Sequence, residues 1–459
     1  MDREPNHDLV TVMREAGISN KALAKAVRDL GRTRGQDVRC THVDVARWRS
    51  GMIPRGIKPE LIAVVLGRCL GRPLTLADIG MANPGGPPLT LGLDFTADST
   101  AALRTTHALW SEDLKRAEFL RHATVSAAML TTPMARWLIA PPADPLNRTG
   151  RTLTVGRSDV EAVRTTVHMF EDLDHQFGGG HARTAAVQYL HSQVTPLLRG
   201  NYTEAVGRQL FGVASQFTYK TGAMAYDIGC HGLARRYFIQ ALNLAHSAGD
   251  RALGGKVLAL MSHQANFLGE YAEAVDLARA AKLGGTGHAT PTVHAMYCAM
   301  EARALANLGD VRACLRALTE AEKAFARRCP DEDPDWIAYF DLAEFHDEFG
   351  HCFHALRQAP QAIRHASQSL RASGDAYPRS RAFCRFTLAG SYLNVHRTQH
   401  RDLERAVAIA TEALPWVNQL KSVRIRSYIS TFDRYLDPYA DDSTVVDFRE
   451  RLKAIVNAA

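Results

Sequence analysis

The segment Gly200-Asn201-Tyr202-Thr203-Glu204-Ala205-Val206 returns as Gly269-Glu270-Tyr271-Ala272-Glu273-Ala274-Val275. A chain that repeats a helix-stopping glycine followed by a fresh helix start builds a stack of short helical units, each burying its apolar face on the next, rather than one closed core. The glycine ends one helix, and a small residue early in the following helix lets the two axes approach. A second small residue seven positions later lies on the same face two turns on. Such pairs occur at Ala234 and Ala241, Ala274 and Ala281, Cys314 and Ala321, Ala362 and Ser369, and Ala406 and Ala413. Their first members lie 40, 40, 48 and 44 residues apart. Gly229, Gly269 and Gly309 sit at the turn of the first three units, whereas Arg357 and Arg401 hold that place in the last two. An array of helix pairs is therefore expected over residues 157–459.

These residues resemble the tetratricopeptide (TPR) turn, G-x-Y-x-E-A, with leucine after the second small residue at Leu242, Leu370 and Leu414. The spacing exceeds that family's usual ~34 residues, so an irregular α-solenoid is expected. The resemblance implies that the first helices of the pairs line a concave surface for a peptide, a partner helix or a ligand. In this register the inward positions, read as an effector groove, are Gln216, Tyr219 and Tyr226; Lys256, His263 and Asn266; Arg303; and Glu344, Asp347, His351 and His354. That lining suits a charged or hydrogen-bonding occupant. The alternative is a solvated groove that serves only as scaffold.

Charge draws attention to the other end. The first 80 residues hold 14 Lys+Arg against 9 Asp+Glu, so +5 of the total +7 falls in about a sixth of the chain. Apolar spacing there predicts five short helices: one through Val10, Met13 and Ala16; one capped by Ser19 through Leu23 and Val27; one capped by Thr41 and closed by Gly51; one from Pro59; and a fifth over Leu74–Ile79.

Val45, Arg47, Trp48 and Gly51 match the V-x-R-W-x-x-G ending of a recognition helix, and this stretch resembles the Xre/Cro-type helix-turn-helix family. The resemblance implies double-stranded DNA as partner, with Asn20 and Lys21 on phosphate and Thr41, His42 and Asp44 facing the major groove. Val45 and Trp48 are then core, and Arg47 and Arg49 complete the DNA-binding set. The family's turn is only a few residues long, whereas Arg32 to Cys40 separates the helices here. Arg32, Arg34 and Arg39 are therefore read as backbone contacts. The domain order, with residues 1–80 as DNA-binding head, 81–100 as Pro/Gly linker, 101–156 as a helical and irregular connecting region and 157–459 as repeat domain, resembles Xre-type regulators with C-terminal tetratricopeptide domains of high-GC bacteria. It is distantly similar to the RRNPP quorum-sensing regulators. In that family the resemblance implies a homodimer whose array senses a peptide or small-molecule effector or a protein partner.

The chemistry of catalysis finds no pattern. His346 and His351 are five apart, where a zinc-binding H-E-x-x-H helix needs four. Gly254-Gly255-Lys256 lacks the Ser or Thr of a phosphate loop, Gly178-Gly179-Gly180-His181 reads as a turn, and no G-x-S-x-G occurs. The eight cysteines form no C-x-x-C pair. Neither an enzyme, a cofactor nor a metal is expected. A start of Met1-Asp2-Arg3-Glu4-Pro5 without an apolar run, and no stretch of membrane-spanning length, lead to the expectation of a cytoplasmic protein with no membrane partner. The reading in sum is all-α, a five-helix DNA-binding domain followed by a TPR-type solenoid. Its rival is a protein-interaction scaffold that binds no DNA. One strand of a hairpin is expected at Arg151–Val155.

Overall fold

The computed structural model describes residues 5–457 apart from 34–37, 55–57, 72, 73, 75, 77, 82–89, 123, 124, 145, 147–152, 375, 376 and 395–400. Among the described residues the regular structure is helical, except for one isolated parallel bridge between Thr154 and Asn201. The chain divides into two compact units, Met1–Leu89 with Arg116–Thr124, and Thr90–Lys115 with Val125–Ala459. None of the helices is long and apolar enough to cross a membrane among the described residues.

The first unit is built on α1 (His7–Glu15), α2 (Asn20–Thr33), α3 (His42–Arg49) and α4 (Lys58–Leu70). The first three starts are capped as their sequence requires: Leu9 N donates to Asn6 Oδ1 at 2.9 Å, Ala22 N to Ser19 Oγ at 3.2 Å, and Thr41 and Asp44 form a reciprocal capping box. Leu9, Val12, Leu23, Val27, Val45, Trp48, Leu61 and Leu66 make one core. Among the described residues of Leu74–Ile79 the expected fifth helix is not formed, and Thr75 and Ala77 lie outside them. The described residues there take a turn closed by Met81 N on Leu76 O at 2.8 Å, and Leu76 and Ile79 plug the core. Asn6 Nδ2 binds the carbonyls of Ile79 and Gly80 at 3.0 and 3.1 Å, so those carbonyls end the segment on a side chain instead of a helical ladder.

The second unit opens with α5 (Ser99–His122), whose residues up to Lys115 belong to it, and α6 (Thr131–Ile139). It continues with α7 (Arg157–Phe177), α8 (Gly179–Tyr189), a π turn at Leu190–Val194, and α9 (Thr195–Leu198). Five helix pairs follow: α10 (Glu204–Asp227) with α11 (His231–Ser247), α12 (Arg251–Phe267) with α13 (Tyr271–Gly285), α14 (Pro291–Leu308) with α15 (Val311–Phe325), α16 (Leu342–Ala355) with α17 (Ala359–Ala372), and α18 (Pro378–Leu393) with α19 (Leu403–Gln419). The last helices, α20 (Val423–Leu436) and α21 (Ser443–Asn457), pack on α18 and α19.

All ten small residues read as pairs are buried. Gly229, Gly269 and Gly309 hold the turns at φ +83°, +81° and +86°, and Arg357 takes the same place at φ +57°. Among the described residues it is the one non-glycine in that region, so the fourth turn keeps its shape without a glycine. The two copies of the heptapeptide serve different junctions. Gly269 leads into α13, the second helix of its pair, whereas Gly200 leads into α10, the first helix of another. Gly200 is small because a Cβ would meet Leu153 O at 2.9 Å and Val155 Cγ2 at 2.7 Å. That approach also replaces the expected hairpin. Asn201 N donates to Leu153 O at 2.7 Å and Val155 N to Asn201 O at 2.8 Å, a parallel crossing with no strand partner; Arg151 lies outside the described residues.

The stretch read as linker and connecting region contributes to this unit's interior. Asp113 receives Arg183 and, at 2.6 Å, the Tyr237 hydroxyl. Gln240 Nε2 binds Gly92 O at 3.0 Å, and Asn243 Nδ2 binds Asp94 O at 3.0 Å. Trp137 of α6 lies wholly buried against Gly254 and Gly284, with Arg251 4.0 Å over its ring. Gly255 and Gly285 admit Tyr297 in the same way, which accounts for the glycine pair before Lys256 without any phosphate.

The array closes on itself. Arg379 of α18 binds Asp174 of α7 at 2.8 Å and Asp227 of α10 at 3.3 Å, and Asp227 also accepts from Gly179 N and Ser422 Oγ. Gly178 and Gly180 fit against the backbone of Lys421, with Gly180 N on Lys421 O at 3.2 Å and Lys421 N on Phe177 O at 2.9 Å. The glycine triplet is therefore the seat on which the end of the array meets its beginning.

Candidate functional site

Inside that closure lies a cavity of about 240 Å³. Helical periodicity places its lining. Tyr219, Ala223 and Tyr226 on α10, Lys256, Leu260 and His263 on α12, Met296, Met300 and Arg303 on α14, and Glu344, Asp347, Glu348 and His351 on α16 each form a stripe one or two turns long. Eight of the eleven residues read as an inward groove thus come together here: Tyr219, Tyr226, Lys256, His263, Arg303, Glu344, Asp347 and His351. The other three do not line it. Gln216 is buried in α10, Asn266 accepts from Asn307 Nδ2 at 3.1 Å, and His354 bonds Ser391 Oγ at 2.9 Å. Residues missed in the sequence are Glu171 and Asp174 of α7, Lys220, Asp227, Tyr339, Arg379 of α18, and Arg424 and Tyr428 of α20. Lys220 stands four after Gln216, and the helical period points to it. Asp227 ends α10 next to Tyr226, and Tyr339 lies in the loop before α16; Glu171, Asp174, Arg379, Arg424 and Tyr428 are brought in by closure, which no local pattern records.

Most of the charge is paired across the cavity wall. Lys220 binds Glu171, Arg303 binds Glu348 at 2.7 Å, His351 lies 3.5 Å from Asp347, and Arg379 and Arg424 share Asp227. Burial opposes the Glu171 carboxylate, but the Lys220 ammonium and His175 together outweigh it and hold this group well below the usual range. Burial, aided by the Arg303 charge, keeps His263 neutral, and its Nδ1 lies 3.2 Å from the Tyr226 hydroxyl. Arg424 sits 4.6 Å over Tyr226 and 4.9 Å over Phe383.

Four charged groups of the lining stand outside these pairings among the described residues; Asp341 caps α16 and Arg381 is held by Leu370 O and Ser373, so two are left, Lys256 and Glu344. Lys256, 8% exposed, has no carboxylate within ion-pair distance among the described residues; its ammonium rests on the Tyr339 hydroxyl and ring. Burial, with Lys220 nearby, pulls it down to about 7. Glu344 has neither an ion pair nor a side-chain hydrogen bond among the described residues, and burial beside Glu348 and Asp347 pushes its carboxyl up to about 8. Further polar atoms are buried with no hydrogen-bond partner among the described residues: Tyr219 Oη, Asp347 Oδ1, Glu348 Oε2 and Arg424 Nε. Stranded polar atoms of this kind cost ~1–3 kcal/mol each, which a ligand with matching donors and acceptors would recover.

In the first unit, α3 turns Val45 and Trp48 inward and leaves Thr41, His42, Val43, Ala46, Arg47 and Arg49 exposed. Lys21, Arg32 and Arg39 are exposed too, while Arg34 lies outside the described residues. Asn20 is half-buried and accepts from Arg49 Nη1 at 3.2 Å, tying the start of α2 to the end of α3. Thr41 and Asp44 are engaged with each other: Asp44 Oδ2 accepts from both Thr41 N and Thr41 Oγ1 at 2.8 Å, and these bonds lower its carboxyl. Their polar atoms thus set the helix start, and His42 and Arg47 are the freer side chains, while Arg49 is exposed but engaged with Asn20. Arg28, not singled out in the sequence, donates to Cys40 O and braces the approach to α3.

The histidine-rich stretch of α16 diverges around the helix. His346 Nδ1 lies 3.0 Å from His365 Nδ1, His351 faces Asp347, and His354 bonds Ser391. A separate cluster, His294, Cys298 and Glu320, has its ligand atoms within 4.8 Å. Lys282 binds Glu320 at 2.6 Å and Glu301 at 2.9 Å, so a protein cation already supplies the positive charge there.

The family described as the SP15 N-terminal domain matches residues 9–82, the span of the four-helix unit and a small part of the chain. No curated protein matches the chain, and no solved structure does.

Proposed function

We propose that the protein is a sequence-specific DNA-binding transcription regulator whose tetratricopeptide-type array holds a small effector. The observation that carries the regulatory half is the cavity of the second unit, with charged and polar groups left unpaired in its wall. A solvated scaffold groove has no use for buried groups that burial holds away from their ordinary ionisation, whereas a ligand site does. The DNA-binding half is supported by the first unit's charge and by a capped, short α3 that buries Val45 and Trp48 and offers His42, Arg47 and Arg49 outward. In this reading α3 enters the major groove and α2 lies against the backbone. The resemblance to Xre-type regulators implies a homodimer, in which two heads engage half-sites about one DNA turn apart, ~34–36 Å. Effector occupancy then changes operator affinity.

The test uses the full chain against a library of fragments from its own genome. Recovery of a discrete sequence set, with affinity that falls steeply as salt rises and is lost in the Arg47→Ala, Arg49→Ala double variant, is the expected result. No retained fragment at about 50 mM salt would reject DNA binding and leave the scaffold reading, in which the cavity serves a protein partner's regulation.

A further inference from the structure

We propose that the occupant of the cavity is a compact zwitterion, a small molecule with an ammonium at one end and a carboxylate at the other, bound between Glu344 and Lys256. This rests on the reading of the cavity as an effector site. After the ion pairs of the wall are formed, Glu344 on α16, Lys256 on α12, Asp341 and Arg381 remain without a counter-ion among the described residues. Asp341 is spent on capping α16 through Ala343 N and Glu344 N, and Arg381 on Leu370 O and Ser373, which leaves Glu344 and Lys256 as the acid and the base open to a ligand. A purely cationic ligand would answer Glu344 and leave Lys256 stranded, and an anionic one the reverse.

The hydrogen-bonding capacity around each pole agrees. Asp347 Oδ1 and Glu348 Oε2 are buried acceptors without a partner among the described residues, and the half-buried Glu344 carboxyl stands one turn before them on the same helical face, together a match for the three N–H groups of an ammonium. Lys256 Nζ spends a single contact on Tyr339, and the Tyr219 hydroxyl has no partner among the described residues, which leaves donors for a carboxylate. The same lining includes the apolar Leu260, Met296 and Met300, suited to a short aliphatic linker. At about 240 Å³ the space lies below the ~300–1,000 Å³ of pockets that take drug-sized ligands, so it admits a metabolite-sized molecule and not an extended peptide.

The experiment is titration calorimetry on the full chain with ω-amino acids from glycine to 6-aminohexanoate, each beside the amine and the carboxylic acid of the same carbon number. One chain length is expected to bind at least about tenfold tighter than its amine and its acid. Glu344→Gln is expected to remove that advantage over the acid, and Lys256→Met that over the amine, with helical circular dichroism and melting temperature retained in both. An amine or acid that equals the zwitterion, or no binding by any probe at about 10 mM, overturns the proposal. DNA affinity is read separately. If an amine or acid binds and shifts it, the effector site stands and only the zwitterion fails; if the zwitterion binds with no change in DNA affinity, the regulatory reading fails alone.

Discussion

Replacing Lys256 with methionine should make the empty protein more stable, and the size of the gain should depend on pH. Burial lowers the ammonium from an ordinary 10.5 to about 7. At ~1.4 kcal/mol for each tenfold change in proton affinity, charging Lys256 in the folded protein costs about 4 kcal/mol at pH 7 relative to the unfolded chain. Methionine keeps the length and apolar stem of the lysine but has no charge to bury. It loses the hydrogen bond to Tyr339, worth about 1 kcal/mol, so the expected net gain is about 3 kcal/mol at pH 7.

The sign with pH is fixed because the folded value lies below the unfolded one. The penalty is fully present below pH 7 and shrinks as pH rises toward 10.5, where the unfolded chain also gives up its proton. At pH 10 it has fallen below about 1 kcal/mol, and the advantage of methionine should be close to zero. Glu344 runs the opposite way, since a carboxyl raised to about 8 contributes stability at low pH that is lost as pH climbs through 8. Glu344 is present in both proteins, so its contribution largely cancels in the difference between them. Urea unfolding of both proteins, followed by helical circular dichroism at pH 7 and pH 10, measures the effect. A variant no more stable than wild type at pH 7, or a gap of equal size at both pH values, would refute the argument that an unpaired lysine is buried here.

Trp137→Ala should cost about 3–5 kcal/mol, because the indole fills the space between Gly254 and Gly284 and no neighbour can refill it; the melting temperature reads this directly. Arg357→Gly should stabilise by roughly 0.5–1 kcal/mol, since the turn holds a left-handed conformation that glycine adopts freely, and a shift of the urea midpoint would show it. Asp227→Ala removes the carboxylate shared by Arg379, Gly179 N and Ser422, leaving buried groups short of partners. Faster amide exchange in α7 and α18, with α12 and α13 unchanged, is the expected signature. For DNA, Arg47→Ala should lower the slope of log affinity against log salt by about 1 if this side chain meets a phosphate, and should relax base preference if it meets a base.

What the sequence made legible is whatever repeats over a distance a helix can carry. The small residues at i and i+7 mark the pair interfaces, and all ten are buried; a glycine before the second helix marks the turn of the first three pairs, and Arg357 takes the same geometry in the fourth. The inward stripes of α10, α12, α14 and α16 follow from the same register because one face of each first helix must point away from its partner. The fifth helix of the head was not legible in this way, since apolar spacing over six residues fits a plugging turn as well as a helix when a side chain, here Asn6, takes the carbonyls. Closure is harder still. Arg379 reaches Asp174 across 205 positions, while the longest interval the repeats define is 48, so no periodic argument connects them. The one local trace of that contact was Gly178-Gly179-Gly180. A single glycine ends a helix, and three in a row exceed what a turn demands. Each would have placed a Cβ within 3.1 Å of Lys421, Met224 or Ile228, so the excess marks a place where another stretch of backbone has to come close. That approach turns an open row of helix pairs into a wall around Lys256 and Glu344, and the surplus glycines are accordingly the sequence feature on which the cavity depends.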